Sequence, residues 1–137
     1  MKFDREYFKK FDFKPDDIRR YLESALHDLE IAEKDHIPEV KFTYSYQALI
    51  KTGITLLAKQ GKVKVRSKPG HHVKILEQMG EILGDEDVTS IGNAMRMKRN
   101  TDLYGGGEII SGKEAADYLK FVRETIEKAK EIINVYE

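Results

Sequence analysis

The chain contains 137 residues, and its 24 Lys or Arg residues balance 24 Asp or Glu residues. A chain of this length can bury one core of its own, so we expect one domain. Because the formal net charge is zero, the chain has no overall attraction for a polyanion, and any contact with nucleic acid must be local. Cysteine is absent, which excludes disulfides and thiolate metal sites and favours a reducing compartment.

The N-terminal segment predicts a cytoplasmic location. It begins MKFDREYFKK, which mixes charged and aromatic side chains and lacks the apolar run of a signal peptide. No later window approaches ~18 consecutive apolar residues, so we expect no contact with a membrane. We assign residues 1–137 to a single domain and residues 1–13 to an aromatic N-terminal arm, which either packs on its own chain or contacts a partner.

Apolar residues recur at helical spacing in five parts of the chain. The predicted helices cover about residues 15–35, 38–61, 71–83, 85–104 and 112–133. Ser111 and Glu114 form a capping box at the start of the last helix. Gly53 interrupts the second helix and predicts a close helix crossing there. The expected fold is all-α, a mostly up-and-down bundle of about five helices.

The stretch GKVKVRSKPGHH, residues 61–72, predicts an extended basic connection that leads into the third helix. Positive or ionisable groups concentrate at a helix start, where anions are favoured, namely Lys64, Arg66, Lys68, His71 and His72. The segment is therefore either a site for a phosphate or nucleic-acid backbone, or a solvated basic loop in which one histidine caps the helix. Adjacent histidines project about 100° apart on a helix and no third ligand is suggested nearby, so we predict no metal site and no cofactor.

A second polar cluster lies at the end of the fourth predicted helix, in the sequence RMKRNTDLYGGG. If the helix continues to Tyr104, then Arg96, Asn100 and Tyr104 lie on one face, and Arg99 is turned about 100° from it. Guanidinium groups bind phosphate bidentately, an amide and a phenol add hydrogen bonds, and glycines let the backbone approach a ligand. The other interpretation is an ordinary basic helix end followed by a cap and a loop.

Common catalytic signatures are absent from the sequence. It has no Walker loop, no G-x-G-x-x-G, no H-E-x-x-H and no G-x-S-x-G. His27 and His36 lie in or just after the first predicted helix without an evident acid–base partner, so we expect each to be a surface or boundary residue. These motifs therefore assign no function.

The order of these segments resembles the HEPN domain family from about Pro15 to Ile133. The resemblance rests on a long second helix that ends in LLAKQG, on the loop Arg-Ser-Lys-Pro-Gly-His-His-Val, and on an Arg-Asn pair before an aromatic residue near the end of the penultimate helix. Family members are helical bundles that commonly form two-fold dimers. The active ones are metal-independent ribonucleases with the motif R, four to six residues, H.

This sequence departs from the family motif at Tyr104. By resemblance, Arg99 matches the motif Arg and Asn100 the polar residue that often follows it, while Tyr104 stands where the His would be. A His of pKa near 6.5 exchanges protons at neutral pH, whereas a Tyr of pKa near 10 stays protonated. Attack by a ribose 2′-hydroxyl needs a base, so nuclease activity does not follow directly from the resemblance. His71 or His72 can act as that base only if their loop folds towards the motif.

The resemblance also implies partners. Some HEPN proteins bind nucleotides beside minimal nucleotidyltransferases, and some are silenced by adenylylation of a tyrosine close to the motif. Tyr104 is a candidate acceptor on this ground, although the family's modified tyrosine lies two residues beyond its His. We accordingly expect a homodimer, with a nucleotidyltransferase as a candidate partner.

Three functions remain open. The first is nucleotide or RNA binding within a toxin–antitoxin or defence pair, and the second is a metal-independent ribonuclease that uses Arg99 and Tyr104. The third is a protein-interaction module that acts through the aromatic arm and the basic loop. The candidate ligand-binding residues are Arg66, His71, His72, Arg96, Arg99, Asn100 and Tyr104.

Overall fold

The computed structural model describes the backbone of residues 2–104 and 110–134 and the side chains of residues 2–100 and 110–134. Its elements, in chain order, are β1 (Phe8–Lys10), α1 (Pro15–Lys34), α2 (Pro38–Leu56), β2 (Val63–Val65), α3 (His71–Leu83), α4 (Glu86–Tyr104) and α5 (Gly112–Ile133). The described helices confirm the predicted all-α bundle, and their bounds agree closely with the prediction except at the end of α2.

α2 is the central helix of the bundle, and it packs against α1, α3, α4 and α5. Its apolar residues are therefore spread around the helix, and Tyr46, Leu49 and Leu56 are fully buried. Buried hydroxyl side chains of α2 donate to the backbone carbonyls four residues earlier, which satisfies them inside the core. These bonds run from Ser45 to Lys41, from Thr52 to Ala48 and from Thr55 to Lys51.

Gly53 lies where α2 crosses α3, and the close crossing predicted there is confirmed. A Cβ atom added to Gly53 would lie 2.5 Å from both Ile75 Cγ2 and Met79 Sδ of α3. Such separations are shorter than van der Waals contact, so a larger residue would force the two helices apart. Close packing thus offsets the low helix propensity of the glycine.

The N-terminal arm is joined to the bundle through a small two-stranded sheet, which the sequence does not predict. β1 pairs with β2 in antiparallel register, with Phe8 opposite Val65. Phe8 is only 3% exposed, and the Phe3 ring packs edge-on against it with centroids 5.5 Å apart. The extended conformation predicted for residues 61–72 is confirmed at β2, and this part of the arm packs on its own chain.

The end of α2 differs from the prediction. The α-helix ends at Leu56 and continues as a π-helical turn over Leu57–Gly61. The left-handed residue that terminates it is Lys62, with a φ of 52°, rather than Gly61. A Cβ atom on Gly61 would lie 2.6 Å from the Phe3 ring. This glycine therefore makes room for the aromatic arm and does not act as the helix cap.

α5 completes the bundle by packing against α2 and α1. Ser111 Oγ accepts a hydrogen bond of 3.0 Å from the Glu114 backbone N–H, which confirms the predicted capping box. The helix then buries one apolar stripe and exposes a charged face. Among the described residues, no helix combines the length and the apolar character that crossing a membrane requires.

Candidate functional site

Residues from both polar clusters predicted from the sequence line one cleft. The cleft lies between the loop that joins β2 to α3 and the second half of α4, and it has a volume of about 530 Å³. Residues 67–73 form one wall, and Arg96, Arg99 and Asn100 form the other. The loop therefore folds towards the Arg-Asn pair. The sequence alone does not decide whether it does so.

The N-terminal arm holds this loop in place. The Arg66 backbone N–H donates to the Tyr7 carbonyl at 2.7 Å, and Arg66 Nε donates to the Arg5 carbonyl at 3.1 Å. Lys68 forms an ion pair of 3.0 Å with Glu6 and lies over the Tyr7 ring. Arg66 is thus turned towards the arm and does not line the described cleft, whereas Lys68 does.

Gly70 turns the loop into α3. Its φ of 85° is left-handed, a conformation that glycine adopts without steric cost. The first turn of α3 receives no side-chain cap, and it carries His71 and His72 into the cleft wall. This uncapped helix end favours negative charge in the cleft.

The α4 wall of the cleft carries two guanidinium groups and an amide. α4 remains helical to Tyr104, so the one-turn spacing predicted along this face is confirmed for the backbone. Arg96 Nε donates to Asn93 Oδ1 at 3.2 Å, and the Arg99 guanidinium lies 5.6 Å from the centre of the Tyr46 ring. The Tyr104 side chain lies outside the described residues, and its role in the site stays a prediction.

The two adjacent histidines make different hydrogen bonds. His71 Nδ1 lies 2.6 Å from the Lys68 carbonyl oxygen. His72 Nδ1 lies 2.9 Å from the hydroxyl of Tyr46, a fully buried residue of α2. The two imidazole rings meet edge to face with their centroids 4.4 Å apart. Tyr46 therefore connects the cleft to the centre of the bundle.

Burial sets the protonation states of this pair. It raises the pKa of Tyr46 to about 12, although the charges of Arg99 and Arg96 oppose the shift. Burial lowers the pKa of His72 to about 4, and the adjacent His71 ring and the charges of Arg99 and Arg96 act in the same direction. At neutral pH the Tyr46 hydroxyl therefore keeps its proton, and His72 is neutral.

Protonation of His72 is expected to destabilise the fold at acid pH. The pKa of His72 is about 4 in the folded chain and near 6.5 in the unfolded chain, so between these values the unfolded chain binds more protons. The free energy of unfolding should fall as the pH drops from about 6.5 to about 4, by about 2 kcal/mol once solvent screening of this partly exposed ring is included. Urea unfolding near neutral pH and near pH 4 should show a smaller loss of stability at acid pH in His72→Asn, whose amide can still bond to Tyr46.

The exposed His27 of α1 provides the matched control. The variant His27→Asn removes a histidine that lies outside the cleft, so it should lose as much stability at acid pH as the wild type. An equal acid loss in the wild type and both variants would contradict the buried, neutral state of His72.

The described lining of the cleft is positively charged. Its described lining contains no Asp or Glu, and no carboxylate among the described side chains neutralises Arg96 or Arg99. Asp102, which follows Arg99 by one helical turn, falls outside that description. A concave surface lined by charges of one sign focuses the electrostatic field and raises the local concentration of an anion.

Sequence reasoning misses Tyr46 as a member of the site. Helical spacing assigns this residue to the core, which is correct for its ring. The hydroxyl of Tyr46 is the feature that could have indicated its role, because a hydroxyl on the buried face of a helix needs a hydrogen-bond partner. That partner is His72, 26 positions further along the chain.

Comparison with known proteins assigns no family to this chain. No protein-family model, no curated protein and no solved structure matches it. Within the part of the chain that the structure describes, no three His, Asp or Glu side chains are grouped so that they could hold a metal ion.

Proposed function

We propose that the cleft binds the phosphate group of a nucleotide or of RNA. One observation carries this proposal: Arg96 and Arg99 face two histidines in a cleft whose described lining holds no carboxylate. A guanidinium donates two parallel N–H bonds to a phosphate, so the residues match both its charge and its geometry. The uncapped first turn of α3 adds the favourable end of a helix dipole.

The size of the cleft favours a single nucleotide unit over a duplex. Its volume of about 530 Å³ lies within the range of small-molecule sites, roughly 300–1,000 Å³. The chain has zero net charge, so it lacks the overall positive field expected for a protein that binds a duplex backbone. The ligand is thus a free nucleotide or one unit of a single strand.

The proposal extends to a HEPN-like cytoplasmic homodimer that works beside a partner, such as a nucleotidyltransferase, in a toxin–antitoxin or defence pair. The all-α bundle, the Arg-Asn pair near the end of α4 and the loop before α3 support this assignment. A two-fold dimer would place two copies of the cleft in one assembly. The interaction module receives less support, because Phe8 of the arm is buried in its own chain.

A metal-independent ribonuclease is the second candidate, and the position of the loop favours it. His71 and His72 share the cleft with Arg99, whereas the motif itself has Tyr104 in place of a histidine. RNA cleavage needs a base for the 2′-hydroxyl and an acid for the leaving oxygen. His72, with its low pKa, is a weak base and carries no extra proton at neutral pH, so His71 is the better candidate for the base.

Fluorescence anisotropy with a labelled single-stranded RNA, in EDTA, tests the proposal, with AMP and ATP as competitors. We expect saturable binding that weakens as salt rises, with a slope that corresponds to one or two neutralised phosphates. Gel analysis of the same samples separates the two candidates, because a binder leaves the RNA intact and a ribonuclease shortens it. Absence of binding by the folded protein to RNA, AMP and ATP at low salt would refute the phosphate site.

A further inference from the structure

We infer that His71 and His72 read two neighbouring groups of the ligand, a phosphate and the free hydroxyl beside it, with Tyr46 as a positioning residue. This inference rests on the proposed function. It adds that the cleft distinguishes a ribose phosphate from its 2′-deoxy counterpart. It follows from the two hydrogen bonds that decide which ring nitrogens carry protons.

The backbone decides the position of the proton on His71. A carbonyl oxygen has no proton to donate, so the contact of 2.6 Å between Nδ1 and the Lys68 oxygen requires an N–H on Nδ1. A neutral imidazole carries a single N–H, so His71 Nε2 is left with its lone pair. Because His71 lines the cleft, it presents a hydrogen-bond acceptor there.

The hydrogen bond with Tyr46 places the proton of His72 on the opposite ring nitrogen from that of His71. The Tyr46 hydroxyl is buried and lies 2.9 Å from His72 Nδ1. The Tyr46 hydroxyl donates its proton to this nitrogen, because a buried hydroxyl without an acceptor would be left unpaired. His72 then carries its single proton on Nε2, so it presents a hydrogen-bond donor to the same cleft.

A ribose phosphate complements this pair of nitrogens. An ionised phosphoryl oxygen accepts and therefore pairs with His72 Nε2–H, while a 2′-hydroxyl can donate to His71 Nε2. The two rings lie 4.4 Å apart, so they address neighbouring groups of one ligand rather than two separate ligands. Arg96 and Arg99 bind the remaining phosphate charge. A deoxyribose would leave the His71 lone pair without a donor.

Three short oligouridines test this selection, one with ribose, one with 2′-deoxyribose and one with 2′-O-methylribose. The methyl ether keeps the 2′-oxygen but cannot donate a hydrogen bond. We expect the wild-type protein to bind the ribose form about fivefold more tightly than either analogue, the ratio expected from one neutral hydrogen bond.

Two variants assign this preference to the histidine pair. His71→Asn keeps a donor for the Lys68 carbonyl but has no acceptor at the Nε2 position, so it should bind all three oligouridines equally. Tyr46→Phe removes the group that orients His72, and it should weaken all three about threefold while the ribose preference remains. Tyr44→Phe, in a half-buried position of the same helix, is the control and should change neither affinity nor preference.

Two-bond ¹H–¹⁵N spectra of the wild type report directly which nitrogen of each histidine is protonated. We expect Nδ1–H for His71 and Nε2–H for His72 at neutral pH. The same protonated nitrogen in both histidines would overturn the inference, and equal binding of the three oligouridines would do so while leaving the phosphate site intact. Failure to bind any of them would overturn the proposed function and the inference together.

Discussion

Replacing Arg99 with alanine is expected to weaken the binding of single-stranded RNA about 10- to 100-fold. A hydrogen bond to a charged group contributes about 1.5–3 kcal/mol, which corresponds to this range of affinity. The substitution also removes a cation from a cleft whose described lining has no carboxylate. The fold should tolerate it, because Arg99 is partly exposed near the end of α4. Anisotropy titration at constant salt measures the loss, and urea unfolding verifies that the variant is folded.

Two further arginine variants make the test specific. Arg99→Lys keeps the charge but loses the planar fork, so its affinity should fall between those of the wild type and Arg99→Ala. Arg123→Ala removes a half-exposed cation from α5, where it pairs with Glu33 at 3.9 Å, and it should leave binding within about twofold of wild type. A comparable loss in Arg123→Ala would indicate diffuse charge attraction and would contradict a site at Arg99.

Helical periodicity explains why most of the fold could be predicted. α1, α3 and α5 are amphipathic, and their ends coincide with Pro15, Gly84 and the Ser111 capping box. In a helix, sequence spacing converts directly into direction, so the shared face of Arg96 and Asn100 follows from local structure alone. These features can be predicted without knowing how the rest of the chain folds.

Contacts between distant segments could not be predicted in the same way. β1 and β2 have three residues each, which is too short for an alternating pattern to reveal a sheet. The bond between Tyr46 and His72 joins α2 to α3, and nothing in the spacing of either helix indicates it. The sheet and the left-handed Gly70 decide how the loop meets α4. The cleft-lining residues were thus largely predictable from the sequence, but their arrangement was not.

Replacing Lys51 with methionine is expected to destabilise the fold by about 2–3 kcal/mol. Lys51 Nζ lies 2.7 Å from Asp28 Oδ2 and also donates to Ser24 Oγ at 2.9 Å, so it links α2 to α1. The Asp28 side chain is only 6% exposed, and without Lys51 its charge would be buried and uncompensated. The loss should be below the roughly 3–5 kcal/mol of a fully buried pair, because the Lys51 side chain is 39% exposed and water can reach its place.

Thermal and urea unfolding measure this effect, and a second substitution isolates its cause. In Lys51→Met with Asp28→Leu the buried charge is absent, so stability should return to within about 1 kcal/mol of wild type. Lys113→Met, which breaks the exposed pair with Asp117, is the surface control and should cost less than about 0.5 kcal/mol. If the double variant is no more stable than Lys51→Met, the loss comes from the packing of the Lys51 stem rather than from the buried carboxylate. The difference in stability between the double variant and Lys51→Met therefore decides whether charge or packing joins α1 to α2 at this point.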